Sequence, residues 1–391
     1  MKKSPLRQIF FTLHLWLGLA SGIVVTILCF TGFLLALHPP VQQWLNRDLA
    51  VSKSGAISQI EADRFVRTIL ESEKRKFNAI EFPADDDGTW KFREGRDTVY
   101  ADPATGESLG SARPLFPVGY RIVFRLHRWL LLDDSLGCPI TGAATLIFLL
   151  VTLSGLYLWF DKCRKNFTRG LSFKSGVGWK RLNYDAHLVF GIYTLIPVLI
   201  MALSGLFWSY NSTFKTVSYR LLDGTKAPVS PPRDKREKKE PELVTDLPFQ
   251  AVIETVQREL PYRGAFTVRF PDKGSDKIVV TKTPVSGFWQ VPGRDELQLD
   301  ITTAQVLEKN LYADKTRAEK FLSIIKPIHV GTVWGNFTVV IYLLACLLAT
   351  TLPVTGTVMW WNRLRAQRRA DKTLKERRSE GRRAPDAGTE P

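Results

Sequence analysis

The stretch DAHLVFGIYTLIPVLIMALSG, residues 185–205, decides how the rest of the chain is read. It is long and apolar enough to cross a bilayer core of roughly 30 Å, which takes about 20 helical residues. A histidine stands at its mouth and Ser204-Gly205 at its far end. The same pattern occurs earlier, in TLHLWLGLASGIVVTILCFTG, residues 12–32. In both copies glycine follows histidine by four residues (His14 and Gly18, His187 and Gly191), and a hydroxyl-glycine pair closes the pattern (Thr31-Gly32, Ser204-Gly205). Histidine and closing glycine are 18 residues apart in each copy, which is five turns or about 27 Å of helix. They therefore share one helical face at opposite leaflets. That face is expected to look into a bundle, because an imidazole in lipid is costly.

Two more apolar segments complete the membrane part, giving expected spans over about 9–37, 139–160, 188–208 and 337–361. The net charge of +16 sorts around them. Lys2, Lys3 and Arg7 precede the first span, a basic cluster from Lys162 to Arg181 separates the second from the third, and ten basic residues lie between Arg363 and Arg383. By the positive-inside rule these three regions are cytoplasmic, as are both termini, and the protein is expected in a bacterial inner membrane. The charge is thus a topology signal. The basic tail has no interleaved aromatic residues, so nucleic acid is not an expected partner; the lipid bilayer is. The first span is about twice the length of a signal-peptide core, and no small-x-small site follows it, so it reads as a retained helix. The four cysteines fall in or beside the spans without a plausible pairing, which excludes a disulfide framework.

The expected fold is a membrane protein of α+β content, with four transmembrane helices arranged as a duplicated two-helix unit. Each half carries a small α+β periplasmic module. The order is transmembrane helix 1 (1–38), module 1 (39–126), an interfacial segment with helix 2 (127–163), and a cytoplasmic loop (164–183). Helix 3 (184–210), module 2 (211–326), an interfacial segment with helix 4 (327–362) and a cytoplasmic tail (363–391) follow. Helical periodicity at 58–76 precedes strand patterns at 78–83, 89–95 and 97–103. In the second half a helix at 248–260 precedes strand patterns at 265–271, 276–283, 287–293 and 296–301. YADPATGESL (100–109) aligns with QLDITTAQVL (298–307), placing Asp102 on Asp300. An Asp entering a turn bonds the backbone two residues on, so both read as turn residues. SGLYLWFDKCR (154–164) aligns with TGTVMWWNRLR (355–365), and His127 and His329 lie 28 and 27 residues before Gly155 and Gly356.

Four of the five histidines obey this repeat, and they form two like pairs, one per leaflet: His14 with His187, and His127 with His329. Zinc wants four ligands, or three and a water, and nothing suitable accompanies either pair. A haem iron needs only two axial ligands, which imidazoles from facing helices supply. The pairs therefore point to two b-type haems. Gly155 and Gly356, level with the inner pair, and Gly32 and Gly205, level with the outer, would give a porphyrin face its close backbone approach. Packing of helices through small residues is the alternative reading of the same glycines. Spacings of 27 and 28 residues exceed a straight span, and Gly137-Cys138-Pro139 interrupts the first of them. His127 and His329 are thus expected on interfacial segments folded back over the bundle. His38 has no repeat partner, since residue 211 is Asn; it reads as helix-end packing, with a substitute-ligand or substrate-side role second.

The motifs HLWLGL, DPATGESL, LHRWLLL, SGLYLW, DAHLVFG and TGTVMWW, in this order up to about Arg365, resemble the PepSY-associated transmembrane family of bacterial inner-membrane proteins. The closest resemblance is to the iron-siderophore reductases of that family. It implies two haems b and reduction of a ferric siderophore in the periplasm. The outer modules are only weakly similar to the PepSY repeat itself. No G-x-G-x-x-G or flavin pattern is present, so the electron donor is expected to be quinol or a separate reductase. The alternatives are a siderophore permease or binding protein without redox chemistry, and a haem subunit serving a partner enzyme.

Overall fold

The computed structural model describes residues 4–52, 61–73, 75–85, 88–95, 97–113, 115, 117–228, 247–271, 274–285 and 293–381. They divide into two compact units. Among the described residues four helices are long and apolar enough to cross a membrane: α1 (Pro5–Leu45), α4 (Asp134–Cys163), α6 (Trp179–Ser209) and α10 (Gly335–Gly381). A short α5 (Thr168–Leu171) lies between α4 and α6. The first unit, residues 1–33, 124–209 and 342–391, gathers the helical bundle. No water is available in a membrane core, so hydroxyls must find partners locally. Ser21, Thr26, Thr31, Thr194 and Thr350 each donate to the carbonyl four residues earlier, the usual device for a hydroxyl inside a helix. Val198, Ala345 and Ala349 pack with Cys29, Phe148, Met201 and Leu352. Gly22 brings α1 against α10, since a Cβ there would stand 3.3 Å from Pro353 Cβ.

Two boundaries differ from the sequence expectation. The first helix does not stop before Pro39 but continues through Pro39 and Pro40 to Leu45. The interruption before the second span lies at Leu130-Leu131, not at Gly137-Cys138-Pro139, which α4 carries inside itself. There α3 (Pro117–Trp129) ends with Leu130 N–H on the Leu126 carbonyl and Leu131 N–H on the Arg125 carbonyl. Both leucines adopt positive φ, 54° and 64°. This is a helix-stop geometry that glycine usually serves. Gly137 is instead required by the return of the chain: a Cβ there would lie 2.5 Å from the Trp129 carbonyl oxygen.

The second unit, residues 34–123 and 210–341, holds the α+β content. Its helices are α2 (Ala62–Glu73), α7 (Asn211–Ser218), α8 (Phe249–Glu259) and α9 (Arg317–Val330), with a π turn at Tyr219–Asp223 and a 3₁₀ turn at Tyr312–Asp314. Its strands are β1 (Ala79–Phe82), β2 (Trp90–Glu94), β3 (Asp97–Asp102), β4 (Glu107–Ser111), β5 (Gly264–Arg269), β6 (Lys277–Pro284), β7 (Asp295–Asp300) and β8 (Val306–Asn310). Where two separate modules were expected, a single antiparallel sheet runs β4-β3-β2-β1-β5-β6-β7-β8. The two four-strand halves join edge to edge through β1 and β5, with Ile80 opposite Val268 and Phe82 opposite Phe266. Joining removes an exposed edge from each half, which would otherwise offer unpaired backbone groups. It also makes one core, since Phe65, Val66 and Ile69 of α2 and Phe249, Val252 and Val256 of α8 bury together against strands of both halves. Asp63 of α2 accepts the Gln250 N–H at the start of α8. Of the strand pattern at 287–293, only Gly293 is among the described residues.

The aligned stretches at 100–109 and 298–307 have the same local geometry. Asp102 Oδ1 accepts from Ala104 N–H and the Ser52 hydroxyl. Asp300 Oδ1 accepts from the N–H groups of Thr302 and Thr303 and from the Thr303 hydroxyl, which holds the Asp300 carboxyl below the usual carboxylate range. A register shift falls between Tyr100 and Ala101 in one hairpin and between Gln298 and Leu299 in the other. Left-handed backbone follows at aligned positions, Gly106 (φ 77°) and Ala304 (φ 55°). That conformation strains an L residue by roughly 1–2 kcal/mol, whereas glycine adopts it freely at some cost in unfolded-state entropy. Opposite signs are therefore expected from exchanging the two residues. Ala304→Gly should stabilise by on the order of 0.5 kcal/mol and Gly106→Ala destabilise by about 1 kcal/mol, read as opposite displacements of the thermal midpoint.

Candidate functional site

His14, on α1, reaches α4. Its Nδ1 lies 3.0 Å from the Val151 carbonyl oxygen and 3.1 Å from Ser154 Oγ. A carbonyl only accepts, so Nδ1 carries the proton. The Ser154 hydroxyl gives its own proton to the Val151 carbonyl, and so it too receives from Nδ1–H. The neutral ring is left with its lone pair on Nε2, the form in which histidine binds a metal.

His187, on α6, meets α10 in the same way. Its Nδ1 is 2.9 Å from Thr355 Oγ1, whose proton goes to the carbonyls of Thr351 and Leu352. Asn183 Nδ2 donates to the Thr355 carbonyl at 3.1 Å and ties α6 to α10 beside this contact. His127, in the last turn of α3, is a third instance: its Nδ1 lies 2.9 Å from Thr31 Oγ1, which donates to the Ile27 carbonyl.

In each instance the residue after the hydroxyl is glycine, and the glycine seats the ring. A Cβ at Gly155 would stand 2.9 Å from His14 Cε1 and 3.4 Å from its Nδ1, against 4.0 Å from Nε2. At Gly356 and Gly32 the nearest atoms would be His187 Cε1 and His127 Cε1, each at 3.3 Å. The Nδ1–Cε1 edge is thus held against the glycine, and Nε2 is turned away from it. Gly155, Gly356 and Gly32, three of the four glycines expected to clear a porphyrin face, meet the imidazoles themselves. Ser154 and Thr355 show in the sequence only as a repeated hydroxyl before glycine; the signal for their role was that a histidine obeyed the same repeat. Gly205 follows Ser204 on α6, where the Ser204 hydroxyl donates to the Ile200 carbonyl. His329 stands in the last turn of α9, before the left-handed cap at Gly331, and holds there the place that His127 holds in α3. His38 packs its ring on Tyr120, with centroids 4.3 Å apart.

The structure brings His14 and His187 together: their ring centroids are 6.2 Å apart and their planes 85° to one another. Two imidazoles bonded to one metal from opposite sides, each at about 2 Å through a single nitrogen, have centroids about 6 Å apart. The pair therefore fits a two-ligand centre in spacing and tautomer. Among the described residues no three His, Cys, Asp or Glu side chains gather as a metal site. A family model described as a PepSY-associated TM region matches residues 11–363.

The chain belongs to the PepSY-associated transmembrane family. In this PepSY-associated chain the matched region takes in His14, His127, His187 and His329 and the repeated pairs Thr31-Gly32, Ser154-Gly155, Ser204-Gly205 and Thr355-Gly356. No curated protein matches it.

Proposed function

We propose that this protein is a di-haem b-type oxidoreductase that carries electrons across a bacterial inner membrane to a ferric siderophore on the periplasmic side. The observation that carries the reading is the His14–His187 pair, spaced for one metal and with both Nδ1 protons already committed. His14 and His187 would hold the inner haem; His127 and His329, paired by the sequence repeat, would hold the outer. Haem, when bound, supplies one-electron transfer at a potential set by its ligands and surroundings.

The chain's own residues have three tasks in this reading. The histidines present Nε2 to the iron, the hydroxyls and carbonyls of α4 and α10 fix those rings, and the apolar helices exclude water. Basic residues in the 162–181 loop and after Arg363 support cytoplasmic termini, and with no dinucleotide or flavin pattern in the sequence the electron source in this reading is quinol or a separate reductase. The substrate is the one the family resemblance implies, and reduction suits it, because siderophore oxygens are hard ligands that hold ferric iron far better than ferrous, so one electron per iron releases it.

The test is a reduced-minus-oxidised spectrum of the purified protein with haem counted per chain. Two b-type haems are expected, and the chemically reduced protein should reduce a ferric siderophore anaerobically. Absence of a b-type signal after expression with ample haem would sink the reading.

A further inference from the structure

We infer that Ser154 and Thr355 are positioning residues of the inner centre, which fix the tautomer of its two imidazoles and thereby tune its potential. The inference rests on the haem reading above and goes beyond it. A hydroxyl has one proton, and each of these spends it on a carbonyl of its own helix. What remains toward the histidine is a lone pair, so the imidazole must donate from Nδ1 and keep Nε2 as a base. The arrangement is built the same way on two different helix pairs, His14 with Ser154 and His187 with Thr355. It recurs at His127 with Thr31. Three occurrences, each with glycine at the next position to seat the ring edge, are more than helix packing asks for: packing needs the small residue but not the hydroxyl before it.

An acceptor on Nδ1–H makes Nε2 a stronger donor to a metal. A stronger donor favours ferric over ferrous iron, so the clamps hold the potential down. Removing one should raise it, and a tenfold loss of ferric preference corresponds to about 59 mV for one electron. The two sites are not equivalent. His14 keeps the Val151 carbonyl at 3.0 Å when Ser154 is removed, so Ser154→Ala is expected to move the potential less than Thr355→Val.

The experiment uses the full-length protein in detergent and reads haem per chain, the low-spin electron paramagnetic resonance signature and the midpoint potentials. For Thr355→Val the result expected is an upward shift of one centre, a changed signature for that centre, and haem affinity lowered about 10- to 100-fold. Thr355→Ser, which keeps the hydroxyl, should return all three. If Thr355→Val does not accumulate, Ser154→Ala read against Ser154→Thr decides the same question at the other ligand. Wild-type protein without b-type haem would refute the haem reading itself. Wild-type protein with two haems, and hydroxyl-free variants with unchanged signature and potentials, would overturn the positioning inference alone, even if those variants melt earlier.

Discussion

Gly155→Val is expected to empty the proposed inner haem site while leaving the bundle assembled. The Cβ alone would stand 2.9 Å from His14 Cε1, closer than real Cβ contacts come, and valine adds two methyl groups. An imidazole at the end of a side chain can usually move aside, but this one is tied through Nδ1 to Val151 and Ser154. Moving it breaks both hydrogen bonds and turns Nε2 from its direction. The helix itself tolerates the change, since valine is at home in a membrane span. In the proposed di-haem reading, haem per chain should therefore fall from two to one, with the surviving spectrum that of the outer centre. Alanine substitutions should be graded, with Gly155→Ala more damaging than Gly356→Ala or Gly32→Ala, whose Cβ atoms would meet ring carbons at 3.3 Å. Full haem occupancy in Gly155→Val would show that the glycine does not seat the ring.

How much of this was legible in the sequence differs from element to element, for physical reasons. The spans, the four histidines and the hydroxyl-glycine pairs are local patterns, readable from spacing alone. What each glycine faces is not local: it depends on how α1 lies on α4 and α6 on α10, so spacing alone does not show that Gly155, Gly356 and Gly32 lie against His14, His187 and His127. The stop after α3 was misplaced because the left-handed positions are filled by Leu130 and Leu131 and carry no glycine to mark them, while Pro139, the usual breaker, is accommodated inside α4. The two hairpin turns were legible, since Asp102 and Asp300 bond the backbone beyond them as an Asp at a turn should. Strands β4 and β8 beyond those turns went unrecognised, having little apolar alternation. The union of β1 with β5 was invisible because the alternation that marks a strand says nothing about its neighbour.

That union carries the second large effect. Ile80 is fully buried at the junction, opposite Phe92 of β2 on one side and Val268 of β5 on the other. Ile80→Ala should cost about 2–5 kcal/mol, the range for removing a large aliphatic side chain from a packed core. The distribution of the loss matters more than its size. With Phe65 and Val66 of α2 and Val252 and Val256 of α8 in one cluster, neither half of the sheet has a core of its own to fall back on. Amide hydrogen exchange of the full-length protein in detergent should show β2 and β3 losing protection together with β6 and β7, in a single cooperative unit. Two independent modules would behave differently: β5 to β8, whose strands this substitution does not touch except through β1, would keep their protection while β1 to β4 lost theirs. A variant in which only the first four strands opened would mean that β1 and β5 pair without sharing a core.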